Sequence, residues 1–220
     1  MTSTAQLLTR GLENQRAVFG KSNFRLIDTY DVLSMLHLSQ SRPELAEQDV
    51  TNELAIATSN FGKDNFNVGV VHSSVANILL KLKKYREAEN EASNSLNTLK
   101  TTAPPDHQYV ASAEYLLAAS LVGKHKSKEA EPMIRENMAR WGRAQAPAWR
   151  AARSESLLGA ALIQLHKGKE AGVALNHAYE VLSAKDSGAD ADTIATAKKR
   201  LDEYQRCVAG HQENNCQLSE

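Results

Sequence analysis

The chain repeats itself at an interval of 42 residues. Ala46-Glu47 recurs as Ala88-Glu89 and again as Ala130-Glu131, and a fourth copy, Lys169-Glu170-Ala171, follows after a step of 41 residues. Repeats of roughly 20–50 residues are typical of solenoids, in which one supersecondary unit stacks on the next. The period therefore predicts an elongated array of similar units, an architecture that usually presents binding surfaces.

Each copy contains two segments of helical periodicity separated by a short polar turn. In the second copy Val75 and Leu79 share one helical face, and Ala88, Ala92 and Leu96 share another. Strand and hairpin signals are absent. We therefore expect an all-α fold, a right-handed α-solenoid of helix pairs. The predicted array has a half repeat at 4–19, repeats at about 24–61, 66–101, 108–144 and 149–184, a capping helix at 191–206 and a polar tail at 207–220.

Small residues recur where the two helices of a pair should approach closely. One set opens the second helix of each pair, and the other lies twelve positions earlier in the first helix. The sets are Ala46, Ala88, Ala130 and Ala171, and Ser34, Ala76, Ala118 and Gly159. A large side chain at these positions should push the helices apart. In the turn between the two helices of the first full repeat, the spacing of Ser41-Arg42-Pro43-Glu44 predicts a capping box with Ser41 as N-cap.

Charge and hydropathy narrow the range of partners. Lys and Arg number 26 and Asp and Glu also 26, so the net charge is zero. Nucleic-acid-binding proteins usually carry a basic excess or stripe, and we expect no nucleic-acid partner. The chain has no apolar run long enough for a transmembrane helix and no basic segment followed by an apolar core at its start. We therefore expect no membrane association and a cytoplasmic protein.

The residues that could carry chemistry do not form a recognisable constellation. Seven histidines are present, but no metal-ligand spacing accompanies them, and His37 occupies the position of a core leucine. No phosphate loop, nucleophile elbow or carboxylate pair appears. We expect no metal, no cofactor and no catalytic residue. Cys207 and Cys216 are interpreted as free thiols, with a disulfide in an oxidising compartment as the alternative.

Several of these segments resemble the tetratricopeptide repeat (TPR) in the 42-residue form of kinesin light chains. Lys84-Tyr85-Arg86-Glu87-Ala88-Glu89 is similar to the turn of that repeat, and Phe61-Gly62-Lys63-Asp64-Asn65 and Pro105-Asp106-His107 are similar to its loop. The resemblance covers about residues 4 to 206. It implies paired helices and a partner-binding groove.

The last third carries a narrower resemblance. Trp149-Arg150, the segment 154–162, Ala178-Tyr179-Glu180-Val181-Leu182 and the segment 199–204 look like the repeat region of bacterial eukaryotic-like serine/threonine kinases. No kinase motif is present. This resemblance implies a regulatory or partner-binding module.

In TPR arrays the first helices of the pairs line the concave groove, and the resemblance assigns the groove residues by register. From the four repeats in turn they are Asp31, Met35 and Leu38; Ser73, Asn77, Leu80 and Lys81; Tyr115 and Ala119; and Arg153 and Ser156. Such a mixture of small apolar patches and isolated polar groups suits an extended peptide or an amphipathic helix.

Three functions follow as hypotheses. The first is a non-catalytic scaffold or adaptor that binds a protein or peptide in the groove. The second is a regulatory or sensor region of a larger signalling protein, such as a serine/threonine kinase or a transcription regulator. The third, from another class, is a small-molecule hydrolase or ligand-binding protein on a helical scaffold.

Overall fold

The structure is a computed structural model that describes residues 4–210. All of its regular secondary structure in that range is helical, which confirms the predicted all-α repeat fold. The helices are α1 Thr4–Phe19, α2 Ile27–Ser39, α3 Pro43–Phe61, α4 Phe66–Lys81, α5 Tyr85–Thr102, α6 Gln108–Gly123, α7 Ser127–Arg143, α8 Ala148–Gln164, α9 Gly168–Ser183 and α10 Ala191–Ala209. A 3-10 turn, Phe24–Leu26, precedes α2.

The chain divides into two compact units, Met1–Pro105 and Asp106–Glu220. In the first unit α2 packs against α3, α3 against α4 and α4 against α5, and α2 also reaches α4. The second unit follows the same scheme, because α6 reaches α8 and α8 reaches α10 in addition to their sequence neighbours. Each unit is thus a stack of helix pairs in which the first helices of successive pairs lie side by side.

The turn inside each pair has one backbone conformation throughout. Ser41, Lys83, His125 and His166 all have positive φ, from 57° to 59°. The following residue donates its N–H to a carbonyl five positions earlier, as Arg42 does to His37 and Lys84 to Leu79. This closure satisfies the free carbonyls at the end of the first helix. Ser41 is therefore not an N-cap as predicted, because the turn needs it in the left-handed region; the N-cap of α3 is Arg42, without a side-chain bond.

The small residues lie at the closest points between paired helices, as the sequence predicts. Their side chains are completely buried at Ser34 and at all the alanines of both sets. At Gly159 the Leu175 side chain fills the space that a side chain would need, since a Cβ atom there would lie 2.5 Å from Cγ of Leu175. Side-chain size at these positions sets the distance between the helices of a pair.

Ala118→Leu should therefore destabilise the second unit by about 1–3 kcal/mol through overpacking. The measurement is urea-induced unfolding followed by circular dichroism. Ala139→Leu is the matched control, because Ala139 is an exposed residue of α7 and should tolerate the same change. Equal stabilities of the two variants would contradict the role assigned to the small residues.

The C-terminal helix is longer than the sequence suggests. Helix α10 runs to Ala209, so residues 207–209 are helical and not part of a polar tail. Its inner face is formed by Ala197, Leu201 and Tyr204, which are buried, and Cys207 continues this face one turn later, where it packs against the core of the second unit. Cys207 is disulfide-bonded, which corrects the interpretation of a free thiol; Cys216 lies outside the described residues.

Candidate partner-binding surfaces

In the first unit the predicted groove residues differ in how much surface they offer. Met35 on α2 is 41% exposed, whereas Asp31 and Asn77 are half-buried. Leu38 and Leu80 pack against the core of the unit. Met35 therefore offers more surface to a partner than the other four residues, which are all half-buried.

The predicted polar residues of α4 also differ in how much surface they expose. Lys81 is exposed. The hydroxyl oxygen of Ser73 lies 2.7 Å from that of Ser95 on α5, and the Ser95 hydroxyl donates to the carbonyl of Gly69. Ser73 thus contributes to the joint between α4 and α5.

In the second unit two of the predicted residues are brought together. The guanidinium carbon of Arg153 lies 3.9 Å from the centre of the Tyr115 ring, a cation–π contact between α8 and α6. Ala119 packs beside them against the core. Ser156 is only 2% exposed, and its hydroxyl lies 3.4 Å from Nη1 of Arg200 on α10.

Arg150 adds to the aromatic and basic surface formed by Tyr115 and Arg153, although the repeat register does not select it. Its guanidinium lies over the rings of both Trp141 and Trp149, 5.0 and 4.8 Å from their centres. Arg150 and Arg153 are three positions apart on α8, so they share one helical face. That spacing, with a tryptophan beside it, was a signal in the sequence that pointed to this cluster.

Below this surface Asn137 on α7 links three helices by buried hydrogen bonds. Its amide nitrogen donates to the carbonyl of Ala111, 2.7 Å away, and its amide oxygen accepts from the Trp141 indole and the Ser154 hydroxyl. Asn137 is 1% exposed. The network fixes the positions of α6, α7 and α8, and with them the platform on which the aromatic and basic side chains lie.

The first unit contains a group of carboxyl side chains, of which Asp31 is among the groove residues selected by the repeat register. Asp28 and Asp31 come from α2, and Asp49 and Glu53 from α3. Glu53 is 1% exposed, and burial together with the charges of Asp31, Asp28 and Asp49 raises its pKa to about 9. At neutral pH the Glu53 carboxyl is therefore protonated.

Burial also raises the pKa values of the two neighbouring aspartates, Asp31 and Asp49. Burial raises the pKa of Asp31 above its usual value, against the effect of a hydrogen bond from Ser74 on α4, and Asp28 adds to the rise. Burial also raises the pKa of Asp49, although the hydrogen bond from His37 opposes it. His37, at the position of a core leucine, has a buried polar partner, because its Nδ1 lies 2.6 Å from an Asp49 oxygen.

The position of Glu53 was a readable signal in the sequence. It follows Ala46 and Val50 on the face of α3 that packs into the core, with Ala57 one turn later. A carboxyl on a core face has to be neutralised or paired. The helical pattern placed the residue correctly, but only the fold shows which other acids surround it.

Residues 4–210 contain neither a metal-binding cluster nor a membrane-spanning helix. No group of three or more His, Cys, Asp or Glu residues there is arranged to hold a metal ion. No helix in that range has the length and apolar character needed to cross a bilayer.

The folds of known proteins place this chain among the TPR-type helical repeats. No protein-family model matches its sequence, and no curated protein matches it either. A kinesin light chain variant from Podospora anserina, with nearly identical TPR-like repeats, aligns with a TM-score of 0.66 at 13% identity, over 80% of this chain and 84% of that one.

Two further structures align over nearly the whole chain. BtubC (BKLC) from P. vanneervenii gives a TM-score of 0.66 at 16% identity, over 98% of this chain and 93% of that chain. A Rap protein complexed with Competence and Sporulation Factor gives 0.70 at 13% identity, over 97% of this chain. This chain spans 63% of the length of that Rap protein. At these identities the likeness concerns the fold alone, and it supports a TPR-type repeat fold.

Proposed function

We propose that this chain is a non-catalytic scaffold or adaptor that binds a peptide or an amphipathic helix along the first helices of its pairs. The observation that carries the proposal is the TPR-type repeat fold, in which α2 and α4 of one unit and α6 and α8 of the other lie side by side. Met35 and Val32 on α2 are large apolar side chains exposed at the surface, and apolar side chains beside polar ones suit such a ligand.

We further assign the repeat to the 42-residue form found in kinesin light chains. The left-handed turn residues support this assignment, because Ser41, Lys83, His125 and His166 follow one another at steps of 42, 42 and 41 residues. The similarity of the last third to kinase repeat regions and the cytoplasmic location stay predictions.

The test is a selection of peptides from a displayed library on the purified protein, followed by titration calorimetry with the selected peptides. The double variant Met35→Ala/Asn77→Ala should bind at least about tenfold more weakly, since an interface depends on a few central contacts. Thr51→Ala/Asn90→Ala is the matched control, with two exposed residues of the second helices α3 and α5.

Equal affinities of the two double variants would mean that the peptide does not bind at the first helices of the pairs. A selection that enriches no peptide would contradict the proposed function itself.

A further inference from the structure

The acids of the first unit lie together at one place on its first helix pair. Asp28 is exposed and Asp31 is half-buried on α2, and Asp49 lies on α3. These three aspartates form what we call the acidic cluster. Asp28 and Asp31 lie three positions apart on one face of α2, and the charge of Asp28 raises the pKa of Asp31. Neighbouring carboxylates repel one another unless a positive charge lies between them.

A separate observation points to a missing partner. The Glu53 side chain comes from α3 toward the acidic cluster, whose three charges all act on it. It is 1% exposed, and its Oε2 atom has no hydrogen-bond partner. Buried polar atoms in folded proteins nearly always have a partner. An orphan carboxyl oxygen beside three aspartates is a position for a hydrogen-bond donor with a positive charge.

The equivalent positions of the next two repeats show that the fold itself does not need an acid here. Ser95 and Asn137 follow Glu53 at steps of 42 residues. Each donates to a carbonyl of the first helix in its own pair, Ser95 to Gly69 and Asn137 to Ala111, both at 2.7 Å. A small neutral side chain is thus sufficient to join the two helices of a pair at this position. Joining α2 to α3 therefore does not require the carboxyl group of Glu53.

The cationic groups near Glu53 act on Asp49 and not on Asp31. Helix α1 contributes Arg16, which contacts the Tyr30 hydroxyl and acts on Asp49, and whose Nε atom is buried without a hydrogen-bond partner. Helix α2 contributes His37, which is also bonded to Asp49, and the neighbouring side chain on α4 is the neutral Ser74. Among the described residues no Lys, Arg or His forms an ion pair with Asp28, Asp31 or Glu53.

We propose that Asp31 and Asp28, backed by Glu53, form a recognition site for one basic side chain of the bound peptide, a guanidinium or an ammonium group. The inference rests on the proposed function and names a feature of its ligand. A metal ion is a poorer fit, because the described residues contain no arrangement that could hold one. The exposed Val32 and Met35 on the same helix would contact apolar residues next to the basic one.

Binding at this site should release a proton. The free protein holds Glu53 protonated, since its pKa is about 9, and a cation beside the carboxyl favours the ionised form. The proton passes to the solvent when the basic side chain arrives. The affinity for a basic peptide should therefore increase as the pH rises from 6 toward the pKa of Glu53.

The experiment uses an array of hexapeptides in matched pairs, one with arginine and one with citrulline, its neutral analogue, at the same position; a third set carries lysine. With the 220-residue chain, the best arginine peptides should bind about tenfold more tightly than their citrulline partners. Asp31→Asn should reduce this ratio to about one. Asp64→Asn, at an exposed position after α3, is the control and should keep it.

Each outcome bears on a different claim. Peptides that bind without any difference between arginine and citrulline would overturn the basic-side-chain site but leave the proposed function intact. A preference that survives Asp31→Asn would place the cation elsewhere and also overturn the inference. An array without any binding peptide would overturn both. Titration calorimetry in two buffers of different ionisation enthalpy should show proton release at pH 7 for the wild type and none for Glu53→Gln.

Discussion

Glu53→Gln should remove most of the loss of stability that the wild type shows as the pH rises from 4.5 toward about 9. The Glu53 carboxyl has a pKa of about 9 in the folded chain and an ordinary value of 4.5. Between these values the folded protein keeps a proton that the unfolded chain has released. Stability from this group is therefore complete below pH 4.5 and is lost as the pH rises toward about 9.

The size of the effect follows from the same difference. Each pH unit in the window can change the free energy of unfolding by at most about 1.4 kcal/mol. Glutamine has the shape of the protonated acid and does not ionise. The variant should match the wild type near pH 4.5 and exceed its stability by roughly 2–4 kcal/mol at pH 8. The raised pKa values of Asp31 and Asp49 act in the same direction in both proteins.

Urea-induced unfolding at pH 5, 6, 7 and 8 measures the difference. Glu44→Gln is the control, because Glu44 is an exposed residue in the first turn of the same helix. Parallel stability curves for the wild type and Glu53→Gln would mean that Glu53 is ionised in the folded protein.

Asn137→Ala should destabilise the second unit by roughly 2–4 kcal/mol, since three buried groups lose their partner at once. These groups are the carbonyl of Ala111, the indole N–H of Trp141 and the hydroxyl of Ser154. The Ser154 hydroxyl keeps a longer bond to the carbonyl of Arg150, at 3.3 Å, so the other two groups account for most of the loss.

The control for this variant is Asn176→Ala. Asn176 is an exposed residue of α9 whose amide also donates to a backbone carbonyl at 2.7 Å, that of Gly172. Its loss should change stability by less than about 1 kcal/mol, because water can replace the bond. Thermal and urea unfolding compare the two variants, and a similar small loss in both would show that the Asn137 network contributes little.

The candidate surfaces were predictable only in part. Met35 and Asp31 on α2 were selected by register, and they do offer surface. Ser156 was selected by the same register, yet it is buried, and Arg200 of the last helix lies within 3.4 Å of its hydroxyl. Helical periodicity tells which residues share a face, but it does not tell which residues a distant helix will cover.

The sequence by itself determined the helical repeat and the places where paired helices touch. A period of 42 residues with small side chains such as Ala88 and Ala118 leaves close helix pairs as the arrangement that buries the apolar faces. The tertiary structure alone decided the chemistry of individual groups. Glu53 became a neutral acid, and Arg150 came to lie over two tryptophans, because burial and neighbouring charge depend on distances between helices that no local pattern records.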